Sequence, residues 1–553
     1  MHFPPPSSRQ LLRRDLAPVA PVQGVISSLS LQRQYATNRK FHTVLWHYDH
    51  GVLLPPQRTF RLLLAVFAGA SALLVVITNW SGIGWSWDST DYVSAGRAIS
   101  RGLGSLDVTA QPMTVRTPGY PALIAIGEWL NLPTNFTLVA INAVSASIVT
   151  ICTFIVLYRH TRKATAIIAT SFVLLNPSLL WQYSMAWSEP SFIAALMLTI
   201  VVSLYMQHPA KFAILAGLYT ALFFMRYVGP VFSAPIAAVG VLADARVRGW
   251  LKSLIGNSAA LLASFIPMWW WLARNQRIDG TFTGARQPGG GTFLEALLNG
   301  FGTIGTFFSG QPFDSVSYQH WSNYPIAAQI AFVALSLVTT GLLTTLFKQL
   351  SANIFRSSTA IAAAMPAFVV FSYLVFSAYR FVHWELGRLD TRMMVPLLAP
   401  TVVVVAIAVD YATKNNKRVS VASLAIALSV VFANTVVFAA DAASFAANSR
   451  HSSTTENQNV PLYAFVRELP ASSGLFSNAP QQLAPFVDNW PIFTQFQMDT
   501  SRPVECTHRY AVWFKAFSVQ DNIPNMTPVL YEDATAVVYD LGLCSADINT
   551  IWD

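Results

Sequence analysis

The sequence predicts an all-α polytopic membrane bundle of roughly eleven transmembrane helices with a small C-terminal α/β domain, since a span needs about 20 apolar residues. Three observations predict it. Hydrophobic residues make up 53% of the 553-residue chain and charged residues only 11%, against roughly 25% charge in a soluble domain. The apolar residues fall in long runs separated by short basic loops. The last hundred residues lose that pattern and alternate Val, Tyr and Phe with turn residues, as in AVWFKAF, TPVLYED and TAVVYDL.

The elements follow in order. Residues 1–60 are basic and carry no short apolar core of a signal peptide; they are expected to form a disordered cytoplasmic N-terminus. Residues 61–440 form the membrane module, with spans expected near 61–79, 136–157, 164–181, 189–206, 211–227, 229–243, 252–273, 326–347, 359–378, 393–410 and 419–439. The apolar stretch 118–131 is too short to cross and is expected to lie at the interface or re-enter. Residues 274–325 read as a long loop, whose glycines, Gly280, Gly284 and 289–291, suggest closure over a substrate. Residues 441–553 form the C-terminal domain.

Orientation follows from charge. With the N-terminus inside, the loops YRHTRK, HPAK, DARVRGWLK, KQLSANIFR and YATKNNKR all face the cytoplasm, as the positive-inside rule requires. That accounts for much of the +9 net charge without any nucleic-acid partner. The polar stretches 80–135, 182–188, 226–228, 274–325, 379–392 and the C-terminal domain then face outward. Cys152 sits within a span, and pairing of Cys506 with Cys544 is left open for an oxidising compartment.

The outward segments concentrate the chemistry. The first carries Asp88, Asp91, Tyr92, Arg116 and Tyr120; the others bring Glu189, Arg226, Arg274, Arg286, Arg388 and Arg392. Outer loops are normally depleted in cations, yet these are rich in Arg, whose planar fork grips phosphate in two places. Asp88 and Asp91 stand at i and i+3, on one helical face. Such a pair suits deprotonation of a hydroxyl, with the second acid orienting it or holding a metal. The competing reading is a helix cap, since Asp88-Ser-Thr is also a good helix start. Glu189 before Pro190 is likewise good helix-start chemistry as well as a site candidate. Neither zinc-type ligand spacing nor a phosphate-binding Gly-x-x-x-x-Gly-Lys loop is found; a divalent metal is left open.

The pattern Trp87-Asp88-Ser-Thr-Asp91-Tyr92, followed by Arg116-Thr-Pro-Gly-Tyr-Pro121, resembles the first outer loop of GT-C membrane glycosyltransferases. The similarity is to the branch with protein mannosyltransferases, the aminoarabinose transferase of lipid A and Rhizobium-type lipopolysaccharide sugar transferases. Ser188-Glu189-Pro190, Arg226-Tyr227, Arg274-Asn275 and Arg388-Leu-Asp-Thr-Arg392 resemble further landmarks, over residues 60–410. The resemblance implies an inverting transferase in a bacterial cytoplasmic membrane. It would move a sugar from a polyprenyl-phosphate donor to a lipid, polysaccharide or protein acceptor of the cell envelope. Asp88 would match the leading Asp, the base, and the arginines the donor-phosphate contacts. Relatives often have two adjacent acids here, whereas Ser-Thr separates Asp88 from Asp91. The alternatives are a transporter or flippase, whose ionisable groups would sit near mid-membrane, and a non-catalytic scaffold.

Overall fold

The computed structural model describes residues 58–284, 289–309, 357–383, 390–414, 417–449, 459–470, 473–487, 492–493, 508–515 and 528–543, with Ile326, Ile330 and Val333 besides. Residues 1–57 of the expected N-terminal segment, Arg286, Arg388, Cys506 and Cys544 lie outside these residues, as does nearly all of the expected span 326–347; residues 58–60 already belong to the first helix.

Among the described residues seven helices are long and apolar enough to cross a membrane. They are α1 (Arg58–Thr78), α4 (Thr134–His160), α9 (Gly229–Arg248), α10 (Trp250–Asp279), α12 (Ser358–His383), the run Thr391–Thr413, and α15 (Lys417–Asn448). Two shorter apolar helices, α7 (Glu189–Tyr205) and α8 (Lys211–Met225), match two further expected spans. The run Thr391–Thr413 comprises α13 (Thr391–Met394), a 3-10 turn and α14 (Leu398–Thr413). The chain is a multi-span membrane protein.

Two elements differ from expectation. The run 164–181 is not one straight span: α5 (Lys163–Leu174) and α6 (Pro177–Tyr183) meet at a 49° bend. Pro177 disfavours a helical residue before it, and Asn176 instead caps α6, its side chain accepting from the Ser178 N–H. The loop expected over 274–325 contains a helix, α11 (Phe293–Ser309). Its Gly300 lies close against Leu374 of α12, which hides it from a reading by propensity. Gly284 and Gly289 mark close backbone approaches: a Cβ would meet the Val115 Cα at 2.8 Å and the Phe381 carbonyl oxygen at 2.5 Å.

Between α1 and α4 stand two short helices, α2 (Trp87–Ser100) and α3 (Gly119–Trp129), the second matching the expected interfacial stretch. Gly119 opens α3, and a Cβ there would meet the Phe224 carbonyl oxygen at 2.5 Å. Gly119→Ala should therefore push the α2–α3 loop off the end of α8. Overpacking of this kind costs about 1–3 kcal/mol, to be read as a lowered unfolding temperature of the purified protein.

The C-terminal segment forms the expected α/β unit: helix α16 (Pro461–Glu468), helix α17 (Pro480–Leu483) and a five-stranded sheet in the order β2-β1-β3-β5-β4. The strands are β1 (Gly474–Ser477), β2 (Ile492–Phe493), β3 (His508–Phe514), β4 (Val529–Glu532) and β5 (Ala536–Leu543). β1 pairs parallel with β2 and β3; β5 pairs antiparallel with β3 and β4. One loop residue of the membrane module, Val108, is buried in this unit's core, and its carbonyl accepts from the Ile492 N–H at 3.1 Å.

Candidate active site

The α2 start is set by Ser86, which caps the helix reciprocally with Ser89. The cap is thus Ser86, not Asp88. Asp88, in the first turn, and Asp91, one turn on, are left on one face, and Arg116 from the α2–α3 loop reaches both carboxylates. Tyr92, on the same helix, exchanges a hydrogen bond with Ser188 (3.1 Å) and packs edge-on against Tyr120 (5.2 Å).

Residues far apart in sequence complete the cluster. Asp390 caps α13, its side chain accepting from the Met393 N–H, and so presents Arg392 in the first turn. Arg392 donates from Nη2 to Asp88 (2.5 Å) and from Nε to Glu189 (2.7 Å), and stacks over Trp187 at 3.9 Å. Arg226, held extended as the α8 helix ends, pairs with the same Glu189 oxygen at 2.5 Å. Glu189 is 0% exposed, and its second oxygen has no hydrogen-bond partner among the described residues. Three carboxylates and three guanidiniums thus interleave, each guanidinium charge facing at least one carboxylate.

A cavity of about 330 Å³ opens beside this network, lined by Asp88, Tyr92, Arg116, Arg226 and Arg392 among others. Sequence reasoning missed Tyr373 and Ser377 on its wall, which they share with Arg380 of the expected outward segment 379–392. They occur at i, i+4 and i+7, one stripe of α12, and that polar periodicity inside an apolar run was the available signal. Asp91 stands behind Arg116 rather than on the wall, and Tyr120 is fully buried behind Tyr92. Arg274 is also off the wall: it donates to the Met113 carbonyl (3.2 Å) and lies over Trp271 (4.4 Å). Beside it, Asn275 donates to the Tyr227 hydroxyl (2.8 Å), which in turn donates to the Thr114 carbonyl. These contacts pin the loop that carries Arg116.

The two aspartates are driven apart electrostatically. Burial raises the pKa of Asp88, but Arg392 and Arg116 outweigh it and hold the carboxyl well below its usual range. Asp91 is raised to about 6: burial dominates and the charges of Asp107 and Asp88 add to it, while Arg116 opposes. Among the described residues no three His, Cys, Asp or Glu side chains converge to hold a metal ion; the lone pairs of Asp88 face two guanidiniums.

No protein-family model matches the chain, and no curated protein matches it significantly. Solved structures do. The chain is similar to ArnT from Cupriavidus metallidurans bound to undecaprenyl phosphate, with a TM-score of 0.53 and 12% identity, over 88% of this chain and 98% of that one. The apo state of the same protein matches at a TM-score of 0.52, with the same identity and coverage. The chain therefore shares the overall fold of these two structures, over nearly its whole length.

Proposed function

We propose that the protein is an inverting glycosyltransferase that takes a sugar from a polyprenyl-phosphate donor at the outer face of a bacterial cytoplasmic membrane and passes it to a hydroxyl of a cell-envelope acceptor. One observation carries the reading: a carboxylate, Asp88, and three arginines, Arg116, Arg226 and Arg392, share the wall of one cavity at the end of a membrane bundle opposite the basic loops. The ArnT structure with undecaprenyl phosphate bound supports a lipid phosphate as ligand. A transporter would concentrate such charges near mid-membrane; here they stand at helix ends.

The acceptor hydroxyl oxygen attacks the anomeric carbon as the bond from that carbon to the donor phosphate oxygen breaks. The phosphate leaves with the bonding pair, and the hydroxyl proton passes to a carboxylate. The developing phosphate charge needs fixed cations rather than an acid, and guanidiniums held in place by Asp91 and Glu189 supply them. Donor phosphate competes with Asp88 for Arg116 and Arg392. When it takes them, Asp88 regains its ordinary basicity next to the anomeric carbon and serves as base. Asp91 keeps Arg116 aimed at the cavity and acts as a positioning residue. Glu189 does the same for Arg226 and Arg392.

The test is transfer by purified protein in liposomes from a polyprenyl-phosphate sugar to membrane extract, read as release of polyprenyl phosphate and a glycosylated product. Movement of the lipid between leaflets without a covalent product would establish the transporter instead. A pH dependence follows from Asp91. As the pH falls through about 6, its carboxyl is protonated and loses its charge on Arg116, so the transfer rate should drop on the acid side. In Asp91→Asn that limb should vanish and the rate should stay low throughout, which a pH–rate profile of the two proteins checks.

A further inference from the structure

At the opposite end of the bundle, α5, α14 and α15 enclose a second cavity of about 450 Å³ that the transfer reaction does not use. Small side chains hollow it out: Ala169 on α5, Ala406 on α14, Ser423 and Ala427 on α15. Its lining is almost wholly apolar, and it runs along α5 from Arg162 to Phe172, whose ring stacks on Phe308. Ten residues of helix at about 1.5 Å each make the slot about 15 Å deep, half of a hydrocarbon core about 30 Å thick. Its depth is therefore that of one leaflet.

The mouth is basic. Arg162 lines it, Lys163 follows Arg162 in the chain, and Lys414 and Arg418 stand one and two residues from Thr413 and Ser420, which Arg162 bonds; all four are exposed. Arg162 ties the three helices together, donating to Asp410 (2.7 Å), to Thr413 (2.7 Å) and to Ser420 (2.6 Å). Asp410 is 8% exposed and also accepts from the Thr165 hydroxyl, so it neutralises one cation and leaves the mouth with an excess of positive charge. A greasy slot one leaflet deep, capped by cations, matches a lipid with an anionic headgroup.

We propose that this slot holds one acyl chain of an anionic glycerophospholipid from the leaflet at the basic end, with its phosphate among Lys163, Lys414 and Arg418. A long polyprenyl chain would overrun a slot of one leaflet's depth, and a zwitterionic headgroup would gain little from the cations. The lipid would fill the space between α15, which is exposed along most of its length, and the rest of the bundle.

Native mass spectrometry of the full chain, purified in mild detergent and supplied with equal phosphatidylglycerol and phosphatidylethanolamine, tests this. About one phosphatidylglycerol should be retained per chain. Ala427→Trp, which fills the slot, should lower retention at least tenfold, and Lys163→Gln with Arg418→Gln should abolish the preference between headgroups. Unchanged retention in Ala427→Trp, equal retention of the two lipids by wild type, or polyprenyl phosphate as the bound species would each overturn the proposal. If Ala427→Trp does not accumulate, wild type in liposomes with a diazirine-acyl phosphatidylglycerol decides. Label concentrated on α5 and α15 supports the site, and label spread evenly around the bundle refutes it.

Discussion

Asp88→Asn should lower the transfer rate by about 10²–10⁴-fold, the usual contribution of a positioned base, while leaving the affinity for undecaprenyl phosphate unchanged or tighter. The split arises from the double engagement of this carboxylate. In the resting site Asp88 occupies both Arg116 and Arg392, so the donor must displace it before its phosphate can bind there. An amide of the same shape cannot take the acceptor's proton, but it also holds the guanidiniums less firmly. Binding measured by calorimetry and single-turnover transfer measured separately would resolve the two effects. Equal loss in both would mean that Asp88 only builds the phosphate site, and an unchanged rate would remove it from the chemistry.

Glu189→Ala should be more damaging to the protein than any other single change at the site. Glu189 is 0% exposed and carries Arg226 and Arg392 on one oxygen. Removing it leaves two guanidiniums beside one another with only Asp88 to balance Arg392. Breaking a buried pair by deleting one partner costs about 3–5 kcal/mol, so thermal stability and activity should fall together. Glu189→Gln keeps the volume and one acceptor; it should recover much of the fold and little of the rate. A Gln variant with full activity would show that the negative charge is not needed to aim the arginines.

How far the sequence discloses this site depends on sequence distance. Asp88, Asp91 and Arg116 belong to one polar island between apolar runs, so their meeting was legible. The links from Glu189 to Arg226 and Arg392 join three helix ends that sequence alone does not bring together; only their shared position at helix boundaries hinted at it. Arg274 shows the reverse case. An arginine at the end of a span reads as a ligand contact, yet here its fork is spent on a backbone carbonyl of the loop. Helix α11 escaped because its glycines, which lower helix propensity, serve close packing that no local pattern reveals. The long apolar helices among the described residues were legible because hydrocarbon demands such helices whatever their packing. The exception, the bend between α5 and α6, was signalled by Asn176-Pro177.

Val108 ties the C-terminal sheet to the candidate site. Its carbonyl is held by β2 and its side chain by the sheet's core, while its amide donates to Asp91. One residue thus transmits the position of the sheet to a carboxylate of the site. Anyone trimming this protein to its hydrophobic module would sever that tether, and should expect the proposed lipid-phosphate binding to survive while the tuning of Asp91 is lost.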